Sequence, residues 1–161
     1  MDSVVTAAQT LGVYLDNKQQ SQFKRYRELI ELRNKQFNLT GLKTWEKIRE
    51  ELFIRSLRVL APAGGNVPTR EWFEGKQAID VGTGAGIPGI VLKIAVPELQ
   101  ITLIDSNKKR TNFLTEVVNA LELNDAQVVN GRAEEIAQET DHREKYDLVL
   151  ARAVARLNEL A

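Results

Sequence analysis

Three apolar series at helical spacing open the chain. Val4, Val5, Ala8 and Leu11 form a short stripe that stops at Gly12. Phe23, Tyr26, Leu29, Ile30 and Phe37 recur at spacings of three, four and seven, which predicts the buried face of a second helix. A third series, Trp45, Ile48, Leu52, Ile54, Leu57 and Leu60, runs up to Pro62, and a Gly- and Pro-rich loop occupies 61–68. Beyond residue 75 the period changes. Short β-branched or aliphatic runs at 78–81, 101–105, 126–130 and 146–151 read as strands. Helical patterns at 88–96 and 107–121 separate the first three, the second burying Phe113, Leu114, Val117, Val118 and Leu121. This alternation predicts an α/β fold: a Rossmann-like parallel sheet over 76–161, preceded by a helical appendage over 1–75.

Composition narrows the chemistry. The 161 residues include no cysteine and one histidine, His142. Disulfides, thiolate sites and Cys nucleophiles are excluded, and no metal site is expected. No apolar run approaches the length of a membrane span, and the first ten residues lack a basic segment followed by an apolar one. A cytoplasmic protein without membrane association is expected. The 22 basic and 22 acidic side chains balance, with 12 Lys/Arg against 9 Asp/Glu in residues 1–75. That small local surplus is a weak signal for a polyanionic partner.

The strongest motif is the run from Ala78 to Gly89, AIDVGTGAGIPG, placed between the first strand and its crossover helix. Two registers compete. Gly84 to Gly89 matches the dinucleotide pattern G-x-G-x-x-G, whereas Asp80-x-Gly82-x-Gly84-x-Gly86 sets an acid at the end of the strand. A carboxylate at the loop mouth would repel a pyrophosphate but attract the sulfonium and ammonium of S-adenosylmethionine, so the second register is favoured. Pro88 suits the first helical position. Asp105 ends the second strand, where a carboxylate can accept from both hydroxyls of a ribose; this feature is common to nicotinamide and methyl-donor cofactors. After the third strand, Glu134 of Arg132-Ala133-Glu134-Glu135 either accepts from an adenine amine or starts a solvated helix.

The end of the fourth strand reads Leu150-Ala151-Arg152-Ala153 and offers no carboxylate or thiol. No two prolines are adjacent, and cysteine is absent, which argues against exocyclic-amine and pyrimidine C5 methylation. Guanine N7 carries a lone pair in the ring plane, so methylation there needs alignment and no general base. Arg152 could clamp the methionine carboxylate or bond guanine O6. Lys108-Lys109-Arg110 reads by itself as a solvated basic face, with an RNA phosphate contact as its alternative, and His142 as a polar loop residue.

Taken in order and spacing, Asn38-Leu39-Thr40, the glycine loop, Leu103 to Arg110 (LIDSNKKR), Phe113-Leu114, Arg132-Ala133-Glu134 and Ala151-Arg152-Ala153 resemble the glucose-inhibited division protein B (RsmG) family of bacterial 16S ribosomal RNA guanine-N7 methyltransferases. The resemblance implies S-adenosylmethionine as cofactor and 16S ribosomal RNA or the small subunit as partner. It further implies that Gly82 and Ile87 line the cofactor pocket, that Ala133 and Glu134 flank adenine, and that Arg152 belongs to the active site. Lys108 or Lys109, with Arg110, would lie near RNA, and Asn38 beside the pocket. Two departures stand out. The family's H-x-x-D-S positions fall on Leu52, Arg55 and Ser56. Its sheet continues past four strands, so the expectation is an incomplete sheet in a fragment that self-associates and has little activity, the full-length form being a monomer. A nicotinamide-dependent oxidoreductase and a non-catalytic ribosome-assembly or RNA-binding module are the alternatives.

Overall fold

The computed structural model describes residues 3–61, 70–137 and 145–151. Helix α1 (Ser3–Thr10) is followed by α2 (Asn17–Asn34). Asp16 and Gln19 start α2 with reciprocal side-chain to backbone bonds, each 2.8 Å, which satisfy two of the N–H groups left open at a helix start. The third apolar series is not one helix. It winds as α3 (Trp45–Ile48), a six-residue π turn (Arg49–Ile54), α4 (Arg55–Leu57) and a 3₁₀ turn (Arg58–Leu60). The wider π turn lets Leu52, Phe53 and Ile54 all be buried in succession, which a regular amphipathic helix does not do. A short helix absent from the sequence pattern, α5 (Arg70–Phe73), leads into the sheet.

The strands are β1 (Gln77–Val81), β2 (Gln100–Asp105), β3 (Ala126–Asn130) and β4 (Leu148–Ala151), all parallel in the order β3-β2-β1-β4. Helices α6 (Gly89–Ala95), α7 (Lys108–Ala120) and α8 (Ala133–Ala137) lie between them in sequence. Alternation along each strand feeds two faces. Ala78, Ile101 and Leu103 point into the large cluster with α6, α7 and the N-terminal helices, while Ile79, Val81 and Ile104 meet Ile136 on the other face. The large cluster runs from Val4 to Leu121 without a break at residue 75, so the helical segment packs as part of the sheet's own core.

Buried polar contacts reinforce this packing. The Gln19 carboxamide donates to the carbonyls of Ile94 and Ala95 (2.9 and 3.2 Å), closing the end of α6 from α2. Lys93 is buried and donates to the carbonyls of Pro97 and Leu99, each at 2.6 Å. Burial lowers its pKa, and the nearby charges of Asp125 and Glu98 oppose that shift. Pro88 occupies the cap before α6 and not the first helical position the sequence suggested.

Candidate functional site

The glycine loop is anchored at both ends. Gly82 and Thr83 donate to the Ile104 carbonyl of β2 (2.9 and 3.1 Å), and Gly86 and Ile87 donate back to the Thr83 carbonyl. Gly84 and Gly86 take φ of 61° and 96°, a region that side chains beyond glycine rarely adopt. They differ in surroundings. A Cβ on Gly84 would meet nothing within 4 Å, whereas one on Gly86 would sit 2.7 Å from Ile90 Cδ1 and 2.8 Å from the Tyr26 hydroxyl.

Asp80 lies beneath this loop and not at its mouth, which corrects the placement expected from sequence. It is fully buried, and its Oδ2 accepts from the Thr83 hydroxyl and the Gly89 N–H, both at 2.8 Å. Oδ1 has no hydrogen-bond partner among the described residues. Burial pushes the carboxyl up to about 7, the bonds from Thr83 and Gly89 oppose this, and the charge of Asp105 adds to it. The reason for the placement is the strand's own alternation: Asp80 shares the face of Ala78, turned toward α6. Also under the loop, Tyr26 of α2 donates to the Ala85 carbonyl at 2.5 Å. Its ring stacks on Phe53 of the π turn, with centroids 5.2 Å apart, and Trp45 meets Phe53 edge-on at 5.5 Å. Burial and the charge of Asp80 raise the Tyr26 pKa, so the phenol stays protonated and remains a donor.

Above the loop is a cleft of about 460 Å³ at the carboxyl ends of β1 and β2, where open parallel sheets bind their ligands. One wall is Gly82, Thr83, Gly84, Ala85 and Ile87 with Asp105, Ser106 and Arg110; the opposite wall is Leu39, Thr40 and Leu52. The Asp105 carboxylate accepts from the Gly84 N–H through Oδ2 and from the Asn107 N–H through Oδ1, each at 2.9 Å. A carboxylate has about four acceptor positions, so two remain for a ligand. Asn107 caps α7 by accepting from the Arg110 N–H. Arg110 forms no ion pair among the described residues.

The structure therefore brings Gly82, Gly84, Ile87, Asp105 and Arg110 to one cleft. Gly86 supports it from the Tyr26 side. Ala133 and Glu134 start α8 after β3, one strand over, where the Gly131 N–H donates to the Asp105 carbonyl (3.0 Å); Ala133 is half-buried and Glu134 exposed. Asn38 is exposed, accepts from Lys43 Nζ at 3.3 Å, and lies beside cleft residue Leu39. Lys108 is exposed and Lys109 lines a neighbouring groove. Arg152 and His142 fall outside the described residues; Ala151, the last residue of β4, pairs with Val81. Sequence reasoning missed Thr83, Ser106 and the Tyr26 hydroxyl. Thr83 and Ser106 stand inside the motifs themselves, while nothing in an apolar stripe marks a tyrosine that bonds a loop 59 positions away. Among the described residues no group of three His, Cys, Asp or Glu could hold a metal, and no helix is long and apolar enough to cross a membrane.

Comparisons with known proteins agree with this geometry. A family model described as GidB, rRNA small subunit methyltransferase G, matches residues 19–161. Curated proteins named ribosomal RNA small subunit methyltransferase G are similar throughout. The one from Lachnoclostridium phytofermentans is 41% identical over 157 residues, covering 98% of this chain and 62% of its own. The Leuconostoc citreum protein is 40% identical over 161 residues, 100% of this chain and 65% of its own. The chain thus spans about three-fifths of the length of such relatives. Among solved structures, a variant of MtNAS in complex with S-adenosylmethionine aligns with a TM-score of 0.52 at 18% identity, covering 95% of this chain and 51% of that one. The C-terminal domain of precorrin-6Y C5,15-methyltransferase from Rhodobacter capsulatus gives 0.50 at 18% identity, covering 75% and 55%. Both likenesses concern the fold.

Proposed function

The chain belongs to the GidB family, rRNA small subunit methyltransferase G, and on that premise we propose that it takes part in transferring a methyl group from S-adenosylmethionine to N7 of a guanine in 16S ribosomal RNA. The observation that carries this is the cleft with two unlike walls, a glycine loop with Asp105 facing Leu39, Thr40 and Leu52. The first wall fits an adenosine cofactor. Asp105 keeps acceptor capacity for ribose hydroxyls, and at Gly84 the space a Cβ would take is open.

When bound, S-adenosylmethionine supplies a methyl carbon made electrophilic by its sulfonium. The chain's residues supply position. Gly82 and Ile87 would bound the pocket, and Asp105 would hold the ribose. By the family resemblance, Ala133 and Glu134 would flank the adenine, Glu134 accepting from its amine. Asp80 acts from below by pinning Thr83 and Gly89. Guanine N7 offers an in-plane lone pair, so no proton has to be removed and catalysis is alignment of N7, carbon and sulfur. Among the described residues, the ionisable groups lining the cleft are Asp105, engaged by two N–H groups, and Arg110. Arg152 would clamp the methionine carboxylate or guanine O6, and Asn38, Lys108, Lys109 and Arg110 would face the RNA of the small subunit in the cytoplasm.

Calorimetric titration with S-adenosylmethionine and with NAD tests the cofactor. Binding of the first alone is expected, and binding of NAD alone overturns the reading. Incubation with S-adenosylmethionine and 16S ribosomal RNA or 30S particles, followed by borohydride–aniline scission at N7-methylguanosine, tests the substrate. Arg152→Lys should transfer methyl nearly as poorly as Arg152→Ala, because an ammonium lacks the planar fork.

A further inference from the structure

Beside the cofactor cleft, a second cavity of about 290 Å³ opens between the C-terminal end of α2 and the first turns of α7. We propose that this groove is a subsite for one unpaired RNA nucleotide adjacent to the methylated guanine, its base stacked on Phe37 and bonded by Gln36 and Asn112 and its phosphate held by Lys109. The proposal rests on the RNA-methyltransferase reading above.

Three observations carry it. The first is continuity with the cleft. Lys109 lines the groove and Arg110 lines the cleft; neighbours on a helix diverge by about 100°, so the first turn of α7 forms the ridge between them. The opposite wall repeats the arrangement, with Phe37 in the groove and Leu39 and Thr40 in the cleft. An RNA strand with one nucleotide in the cleft would cross a single ridge to reach the groove.

The second is charge. Among the described residues Glu116 is the one carboxylate lining the groove, and Arg33 neutralises it through two bonds of 3.0 and 2.5 Å. The Arg33 hydrogen bond draws Glu116 below the usual carboxylate range, against a weaker opposing effect of burial. With that pair closed, the uncompensated charge on the groove is the exposed Lys109 ammonium, which suits a phosphate.

The third is the chemistry of the remaining surface. Arg33 also donates to Gln36 Oε1 at 2.7 Å, which turns the Gln36 carboxamide so that its nitrogen is left as a donor. Neither that nitrogen nor the Asn112 carboxamide has a hydrogen-bond partner among the described residues, and both residues are exposed. Phe37 is half-buried beside the buried Phe113. A half-exposed aromatic ring, free amides and one cation are the equipment for stacking an unpaired base and bonding its edge.

The test uses the 161-residue chain and fluorescence anisotropy with a labelled single-stranded heptaribonucleotide bearing a central guanosine. A second oligonucleotide has abasic ribose on both sides of that guanosine. Phe37→Leu, and separately Gln36→Ala with Asn112→Ala, should weaken the first oligonucleotide roughly tenfold, the scale of one stacked base. On the abasic strand both variants should match the parent, and calorimetric affinity for S-adenosylmethionine should not change. The double variant lies on the surface, so it still reports if Phe37→Leu misfolds. Equal weakening on both strands, or none on either, overturns the subsite; the latter would leave the groove to a protein partner or a second copy. A parent chain that binds S-adenosylmethionine but neither RNA overturns the substrate reading together with the subsite.

Discussion

The sheet side of the cleft is fixed by backbone, and the helical side by side chains. Gly82, Gly84 and Asp105 stand where they do because β1 and β2 end side by side in parallel register, Val81 opposite Ile104. Leu39, Thr40 and Leu52 are carried on a short connection and a π turn, and Tyr26, Phe53 and Trp45 hold that wall by stacking. Among the described residues, the hydrogen bond from Tyr26 to the Ala85 carbonyl joins the two walls. A cleft assembled this way takes its glycine loop from local sequence and its opposite wall from long-range packing, so damage to either should read differently.

The largest contrast is expected within the glycine loop. Gly86→Ala forces a left-handed conformation on alanine and drives its Cβ against Tyr26 and Ile90, costing about 2–5 kcal/mol of stability. Gly84→Ala meets open space and should lose about 1–2 kcal/mol. Denaturant melts of the two variants compare them directly; equal losses would mean the loop does not lean on the helical wall. Asp105→Ala comes next. It removes the acceptor proposed for ribose, and the calorimetric Kd for S-adenosylmethionine should rise roughly a hundredfold, about 3 kcal/mol. An unchanged Kd removes Asp105 from the cofactor site.

Tyr26→Phe sharpens the comparison from the other wall. It leaves the Ala85 carbonyl unpaired and should cost about 1–2 kcal/mol, with a severalfold loss of S-adenosylmethionine affinity. A stability loss with parental affinity would show that the helices cover the loop without shaping it. Taken per pH unit, the smallest signal is a slope. Asp80, raised from 3.8 to about 7, holds a proton in the folded state that the unfolded chain has released. Stability should therefore fall as pH rises between those values, by up to about 1.4 kcal/mol per unit, and level off above 7. Asp80→Asn should flatten that profile; a parent that gains stability from pH 4 to 7 in this comparison contradicts the buried acid.

Much of the sheet wall was legible. Predicted strands at 78–81, 101–105 and 126–130 match β1, β2 and β3 to within a residue, because each is a β-branched run closed by a turn. The fourth began two residues early: Tyr146 lies outside the ladder and donates to Thr102 Oγ1 at 3.3 Å. The motif's register sets Asp80 at the strand end facing the cofactor, whereas the period of two places it with Ala78. The π turn could not be read from the apolar series, since Leu52 follows Ile48 by four and Ile54 precedes Leu57 by three, each a helical spacing, and only burial of all three neighbours demanded a wider turn. Tyr26 looked like any other core position. Its hydroxyl acquires a task only when a loop from the other half of the chain arrives.

That dependence has a consequence for how the protein is made. The buried seam of α2, Phe23, Tyr26, Leu29 and Ile30, faces α6 and α7, which are synthesised later. At about 5–20 residues per second, a ribosome needs roughly 4–15 seconds to add the 70 or so residues between that seam and β2. During that interval only the N-terminal helices and Phe53 of the π turn can cover the seam, and the side of α2 toward α6 and α7 stays open. Its composition is suited to the wait: apart from the seam it is mostly lysine, arginine, glutamate and glutamine, with ion pairs Arg25–Glu28 and Arg27–Glu31 along its length. Gln19 then fastens it to the end of α6 once that helix exists. The polar faces that α2 shows in the finished surface are also what the growing chain presents to water.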